Sequence, residues 1–318
     1  LNLLFIIVFP DILAGKYLPG MAEFVGSFYH REFGVGYIFM VNLIANAMYL
    51  PFLWPEFKSL KLKIHWPTFK PMLMYALPIF LMGLGGIFNE QGYNMIMEAI
   101  LGKAELGVFS SAVKLSVIMM LGIQAFRYAA EPFFFNHSEN KEAPALFARI
   151  MHYFVVFNIF IMAAVAINMD LIGDLFLRQP EYKEALYVLP VLLLAKLLYG
   201  VYVNLSVWFK IKDKTIFGTY YALIGAVVTI AGNIILIPVL GFYGCAITSL
   251  LCYAVMSTMC YIKGRKVFPV PYNFKPLIIY LVLGVAIIYS ADLLELSNQW
   301  LSYGKDLLVT AIFAVFMY

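Results

Sequence analysis

The chain has 318 residues, of which 63% are hydrophobic and 13% are charged. A soluble domain has about 45–50% apolar and about 25% charged residues, so this composition excludes a soluble protein. The mean hydropathy of +0.86 indicates an integral membrane protein with little soluble mass. The formal charge of +4 is small. We therefore expect membrane lipid, and no nucleic acid, among its partners.

The hydropathy pattern predicts an all-α polytopic membrane helix bundle. A spanning helix needs about 20 mostly apolar residues. Two partial spans, Leu1–Phe9 and Leu307–Tyr318, lie at the ends of the chain, so we expect a fragment of a longer protein that lacks N-terminal spans. The eight predicted full spans are Val35–Trp54, Pro71–Phe88, Leu106–Tyr128, Phe147–Met169, Ala185–Phe209, Ile216–Ile237, Gly241–Ile262 and Pro276–Ala291.

The connectors between the spans carry an uneven distribution of Lys and Arg. The connectors alternate between two sides of the membrane. The side with fewer of these residues holds Lys16, Arg31, Lys103, Arg178, Lys183 and Lys305. The richer set holds Lys58, Lys61, Lys63, Lys70, Lys141, Arg149, Lys210, Lys212, Lys214, Lys263, Arg265, Lys266 and Lys275. Cytoplasmic loops are enriched in these residues, so the richer side is predicted to be cytoplasmic. Pro10–Phe33 and Asn89–Glu105 are then predicted loops on the outer side, and Glu131–Arg149 faces the cytoplasm.

Three cations remain inside predicted spans: Lys114, Arg127 and Lys196. A charge inside the membrane is costly and usually faces a bundle interior or a water-filled cavity. We therefore predict that these residues offer positive charge to an anionic substrate. The structural alternatives are that Lys114 snorkels to the interface and that Lys196 pairs with a carboxylate or carbonyl. Arg127 would pair with Glu131 four residues later, where the helix is predicted to end at Glu131-Pro132.

Four polar residues are predicted to support these cations: Glu90, Gln124, Asn204 and Asn233. Glu90 lies at the predicted outer bend, and Asn204 follows Lys196 at i+8 on the same helical face. Asn233 shares a face with Thr229, Gly232 and Gly225, for which interhelical hydrogen bonding and close packing are the favoured explanation. Gly83, Gly85 and Gly86 are further predicted sites of close helix approach.

Enzymatic chemistry lacks a recognisable site in this sequence. The chain has no G-x-x-x-x-G-K-[ST], H-E-x-x-H or D-x-D motif. The four histidines, His30, His65, His137 and His152, form no cluster in the sequence. Cys245, Cys252 and Cys260 lie in one apolar helix and are predicted core residues. We therefore expect no enzyme, no metal and no cofactor, and favour a transporter.

Five segments give the chain a family resemblance. They are Tyr75-Ala-Leu-Pro78, Ile87-Phe-Asn-Glu90, Leu106-Gly-Val-Phe-Ser-Ser-Ala-Val-Lys-Leu115, Ile123-Gln-Ala-Phe-Arg-Tyr-Ala-Ala-Glu-Pro-Phe-Phe-Phe135 and Pro238-Val-Leu-Gly-Phe-Tyr-Gly-Cys-Ala246. In this order the chain resembles a lipopolysaccharide or polysaccharide biosynthesis flippase. Such proteins belong to the multidrug/oligosaccharidyl-lipid/polysaccharide (MATE-like) exporter superfamily.

The resemblance implies a two-lobe transporter fold of fourteen spans, of which this fragment would hold about ten. Residues 1–54 would end the N-terminal lobe, and residues 55–70 would form the cytoplasmic linker between the lobes. Residues 71–262 would form the C-terminal six-helix lobe. Residues 263–318 would form two extra helices, the last of them truncated.

The function implied by the resemblance is the flipping of a lipid-diphosphate-linked oligosaccharide by alternating access. The substrate would cross from the inner to the outer leaflet of a bacterial inner membrane for cell-surface polysaccharide or O-antigen synthesis. A glycan polymerase and glycosyltransferases would be its pathway partners. Lys114 matches a lysine that is frequent in the family. The Asp-Arg that often follows the Asn-Glu of relatives is absent after Asn89-Glu90.

Two other functions stay open at this point. A cation-coupled multidrug exporter of the same fold would need an acidic cavity, whereas the candidate cavity residues here are mainly basic. A membrane-embedded glycan-modifying enzyme would need a histidine or carboxylate site at the membrane surface, or a large catalytic loop. The sequence shows neither of these.

Overall fold

The computed structural model describes residues 5, 8–16, 18–27, 29–34, 36–59, 65–177, 180–292 and 299–317. Across these ranges the regular structure is helical and contains no strand, which confirms the all-α prediction. The chain divides into two compact units, Leu1–Phe69 and Lys70–Tyr318. Most of the predicted partial span Leu1–Phe9 lies outside the described residues.

Among the described residues, the first unit contains four complete helices. They are α1 (Phe9–Leu13), α2 (Ala22–Gly26), α3 (Gly36–Ala47) and α4 (Tyr49–Ser59), with 3₁₀ turns at Pro19–Met21 and Arg31–Phe33. Ile12 and Val25 are buried beside Tyr29 and Tyr37, whose rings stack with their centroids 4.5 Å apart. The prediction of a loop over Pro10–Phe33 is thus partly wrong. Its apolar residues form short helices because they can bury against the two tyrosines.

The second unit contains most of α5 and all later helices. A 3₁₀ segment, Pro180–Val188, leads into α10. The helices are α5 (Trp66–Gln91), α6 (Tyr93–Leu101), α7 (Lys103–His137), α8 (Ala143–Ile167), α9 (Met169–Phe176), α10 (Leu189–Leu205), α11 (Val207–Ile211), α12 (Ile216–Leu240), α13 (Phe242–Val267), α14 (Phe274–Asp292) and α15 (Gln299–Met317).

Eight helical segments of the described chain are long and apolar enough to cross a membrane. They agree one for one with the eight full spans predicted from hydropathy. The chain is therefore a multi-pass membrane protein. The segments are Gly36–Lys58, Trp66–Leu101, Lys103–His137, Ala143–Ile167, Pro180–Ile211, Ile216–Leu240, Phe242–Val267 and Phe274–Ala291.

Helix α10 lies at the centre of the second unit. It packs against α7, α8 and α13, while α13 also packs against α12. Helices α14 and α15 both pack on α8. Met119 of α7, Ile159 of α8 and Leu193 of α10 are fully buried where these helices meet. The backbone in the middle of α10 is consequently held in place by buried apolar side chains.

The end of α5 is fixed in place by close contact with α12. A Cβ at Gly85 would lie 2.8 Å from the Ala222 Cβ, so only glycine permits this approach. Nearby, the Asn89 amide donates a hydrogen bond to the Ala222 carbonyl at 3.3 Å. The predicted close approach is confirmed at Gly85, whereas Gly83 and Gly86 have open space around them. This contact sets the position of Glu90.

The predicted outer loop, Asn89–Glu105, is wrong. Helix α5 continues to Gln91 and α6 starts at Tyr93, so Gly92 alone separates them. The chain reverses only at Gly102, whose φ of +88° favours glycine. Polar residues that suggested a loop have partners compatible with helix: the Asn89 Nδ2 donates to the Ala222 carbonyl, and the Asn94 Nδ2 donates to the Gln91 Oε1.

Helix α7 also runs past its predicted end at Glu131-Pro132 and reaches His137. Pro132 removes one backbone hydrogen bond, but packing can hold a long helix together across a proline. Ala130 and Phe134 are buried on either side of it, and the Phe134 ring centroid lies 4.6 Å from that of Phe147.

Candidate functional site

Lys196 stands near the middle of α10 and defines the candidate site. Its neighbours Ala195 and Leu197 are buried, which fixes the backbone that carries it. Only 14% of the Lys196 side chain is exposed. The side chain lines a cavity of about 20 Å³, which we call the Lys196 cavity. It is lined by Asn89, Glu90, Tyr93, Phe109, Val113, Ser116, Leu192, Ala195, Lys196, Ser249 and Tyr253.

Glu90 provides a negative charge to this cavity. Its Oε1 lies 3.8 Å from the Lys196 Nζ, and 37% of its side chain is exposed. This distance makes an ion pair but exceeds hydrogen-bond range. The carboxylate therefore neutralises the ammonium without taking one of its hydrogen-bond donors. The structural alternative, that Lys196 pairs with a carboxylate, is confirmed.

Two tyrosines form the aromatic side of the site. The Lys196 Nζ lies 6.0 Å from the Tyr253 ring centroid, at the limit of a cation–π contact. The Tyr253 and Tyr199 ring centroids are 5.2 Å apart. Among the described residues the buried Tyr253 hydroxyl has no hydrogen-bond partner. A polar group that entered the cavity could satisfy this hydroxyl.

Arg127 and Gln124 extend the polar region along α7. The Tyr199 hydroxyl interacts electrostatically with both Arg127 and Glu90, which connects Arg127 to the site. The Arg127 guanidinium carbon also lies 5.6 Å from the Tyr128 ring centroid. In the described part of the chain, the buried Nε of Arg127 and Oε1 of Gln124 lack hydrogen-bond partners.

The predicted pairing of Arg127 with Glu131 is wrong. Glu131 forms its ion pair with Lys210 of α11 instead. Lys210 follows α10 in the chain, and α11 packs against α7, so tertiary contact replaces the local i,i+4 pair. Glu131 therefore does not neutralise Arg127, whose guanidinium interacts with the Tyr199 hydroxyl.

Three other predicted site residues lie elsewhere. Lys114 is exposed and does not line the Lys196 cavity. Asn204 is buried and lines a different small cavity, together with Trp208 and Cys260. Asn233 is buried on α12, beside a contact in which a Cβ at Gly232 would lie 2.8 Å from Thr248.

The buried face of α12 against α13 supports the packing explanation for Asn233. Gly225 and Gly232 both allow close approach, since an added Cβ would lie 2.6 Å from the Met256 sulfur or 2.8 Å from Thr248. Predicted hydrogen bonding by the Asn233 Oδ1 and the Thr229 hydroxyl oxygen is not found among the described residues.

No group of three His, Cys, Asp or Glu residues in the described ranges of the chain could hold a metal ion.

Sequence reasoning missed Tyr253, Ser249 and Ser116. All three line the Lys196 cavity. Ser249 and Tyr253 are spaced i,i+4 and so share one face of α13, which is the signal the sequence offered. That signal was weak because small polar and tyrosine residues are common in membrane helices.

Residues 32–142 match the model of a family described as "Polysaccharide biosynthesis protein". The matched region covers α3 to α7 and contains Glu90, Lys114, Gln124 and Arg127. Lys196 lies beyond it. No curated protein matches the chain. The family match supports the resemblance to a polysaccharide flippase that the sequence motifs predicted.

The fold is similar to that of a solved structure, the lipid II flippase MurJ in an inward closed conformation. The TM-score is 0.61 at 14% sequence identity. The similarity covers 81% of this chain and 56% of the MurJ chain, so the chain spans a little over half of that protein's length. At this identity the likeness establishes the helix-bundle fold.

Proposed function

We propose that the intact protein flips a lipid-diphosphate-linked oligosaccharide from the inner to the outer leaflet of a bacterial inner membrane. The product would serve cell-surface polysaccharide synthesis, beside the glycosyltransferases and polymerase of the same pathway. The protein would act as a transporter and not as an enzyme. The family match and the MurJ-like fold both support this class of substrate and movement.

The observation that carries the proposal is the buried Lys196 ammonium in a polar cavity. A cation inside a membrane bundle is costly and is a functional candidate by default. Two positive charges, those of Lys196 and Arg127, and one negative charge, that of Glu90, lie around the Tyr199–Tyr253 pair. Their excess positive charge suits the diphosphate of a lipid-linked sugar. It disfavours the organic cations of a multidrug exporter.

The size of the site supports a transport cycle by alternating access. A cavity of about 20 Å³ holds roughly one water molecule. A diphosphate headgroup can enter only after the helices that line the cavity have moved apart. The proposal therefore includes at least one further state in which the cavity is open to a leaflet, and its exchange with the closed state would drive translocation.

The experiment uses the intact protein in its own host at matched membrane levels. Lys196→Met removes the charge, and Lys196→Arg keeps it. Lys103→Met is the matched control, because Lys103 also lies 3.8 Å from a glutamate, Glu98, but is 87% exposed. The measured quantities are surface polysaccharide and lipid-linked intermediate held in the inner leaflet.

We expect Lys196→Met to lose surface polysaccharide and to accumulate the inner-leaflet intermediate. Lys196→Arg should retain part of the activity, and Lys103→Met should behave as the unchanged protein. Normal surface polysaccharide in Lys196→Met would contradict the proposal. Resistance to cationic drugs that changes with Lys196→Met while polysaccharide stays normal would favour the multidrug exporter.

A further inference from the structure

The two charges of the Lys196 cavity differ in how firmly they are held. Lys196 lies mid-helix on α10 between buried neighbours, and its side chain is 14% exposed. Glu90 occupies the last turn of α5, two residues before Gly92, and its side chain is 37% exposed. Glu90 is therefore the partner with room to swing away, and Lys196 is the fixed one.

The contact between them is also loose. At 3.8 Å the Glu90 carboxylate neutralises Lys196 but forms no hydrogen bond with it. A phosphate oxygen could approach to hydrogen-bond distance and use donors that Glu90 leaves unused. Phosphate would then be the stronger partner of the same ammonium.

A buried cation needs a counterion in every state of a transport cycle. An ammonium left alone among apolar helices is strongly destabilising. In the closed cavity Glu90 fills this need. When a diphosphate binds, its negative charges fill the need instead, and they would repel a carboxylate that stayed in place.

We propose that Glu90 is a placeholder anion that exchanges with the substrate's diphosphate on Lys196. This inference rests on the proposed function. Substrate binding displaces the carboxylate, and the returning carboxylate displaces the diphosphate and speeds its release. Glu90 thus sets both the affinity and the residence time of the substrate.

The test measures equilibrium binding of farnesyl diphosphate to the purified intact protein in lipid nanodiscs. Farnesyl diphosphate presents the diphosphate and a short prenyl tail. The set comprises the unchanged protein, Glu90→Gln, Lys196→Met and the double variant, with Lys196→Arg as a second variant in case Lys196→Met does not fold. Glu98→Gln is the control, since Glu98 pairs with the exposed Lys103 at the same 3.8 Å.

We expect Glu90→Gln to lower the Kd about tenfold, because the internal anion that competes with the diphosphate for the Lys196 ammonium is removed. The change should appear in the dissociation rate. Lys196→Met should weaken binding, and adding Glu90→Gln to it should have no further effect. Glu98→Gln should leave the Kd unchanged.

Three results would overturn the exchange. If Glu90→Gln leaves the Kd unchanged while Lys196→Met weakens binding, the placeholder role fails and the proposed function stands. If Glu90→Gln tightens binding equally in the Lys196→Met background, Glu90 acts by general repulsion and not through Lys196. If none of the variants changes the Kd, both the exchange and the cationic site of the proposed function fail.

Discussion

Two lysine–glutamate pairs in the second unit have the same 3.8 Å separation but different surroundings. Lys103 and Glu98 flank the turn at Gly102, and 87% of the lysine side chain is exposed. Lys196 and Glu90 line a cavity, and 14% of the lysine side chain is exposed. Exposed pairs contribute about 1 kcal/mol or less. Burial, and not distance, therefore distinguishes the Lys196–Glu90 pair, which we propose as the functional one.

The largest effect should come from reversing the buried pair. The double variant Glu90→Lys/Lys196→Glu keeps an ion pair but moves the cation from α10 to α5. We expect translocation, measured as surface polysaccharide in the host, to fall about 100-fold, because a misplaced buried charge costs several kcal/mol. The same swap at the exposed pair, Glu98→Lys/Lys103→Glu, should be near neutral. Full activity of the buried swap would reduce the pair to a structural role.

A smaller effect is expected at Arg127, the second cation of the candidate site. Arg127→Gln should lower translocation about tenfold, since a charged hydrogen-bond donor is typically worth 1.5–3 kcal/mol. Arg127→Lys keeps the charge but loses the planar donor group, so its activity should be intermediate. Transport by Arg127→Gln equal to that of the unchanged protein would confine the site to Lys196 and Glu90.

The position of Glu90 can be tested through the contact of α5 with α12. Gly85→Ala places a Cβ 2.8 Å from the Ala222 Cβ. We expect overpacking to destabilise the protein by about 1–3 kcal/mol. Gly83→Ala is the matched control, because a Cβ there has open space. Thermal unfolding of the purified protein checks both, and equal midpoints for the two variants would argue against this contact as the support for Glu90.

The smallest effect should come from the exposed pair. Glu98→Gln should change the free energy of unfolding by less than about 0.5 kcal/mol, because solvent already screens the pair. Raising the ionic strength should remove even that difference. Unfolding measured in low and high salt checks this. A change of several kcal/mol would mean that exposure does not separate the two pairs.

The number and order of the spans could be predicted from the sequence because apolar length alone decides them. The short helices around Ile12 and Val25, and the continuation of α5 through Asn89, could not. In each case a contact with a residue distant in the chain outweighs the local polar or glycine signal. The same reason explains α7, which continues past Pro132 where a local pattern predicts an end.

The candidate site was predictable only in part. Lys196 was predictable because a lone cation in an apolar span is conspicuous. Its pairing with Glu90 could not be predicted, since the two residues are far apart in the chain. They meet because α5 packs on α12, α12 packs on α13, and α13 packs on α10. The structural alternative for Arg127, a local pair with Glu131, is wrong because Lys210 takes that carboxylate. Lys114 is an equally conspicuous cation in the sequence, but it does not line the Lys196 cavity.

The central claim is that the Lys196 ammonium binds the substrate's diphosphate. The most direct test is an experimental structure of the intact protein with farnesyl diphosphate bound. We predict a phosphate oxygen within about 3.2 Å of the Lys196 Nζ, with the Glu90 carboxylate moved away from its present 3.8 Å position. A diphosphate bound elsewhere, with the Glu90–Lys196 pair intact, would contradict the account.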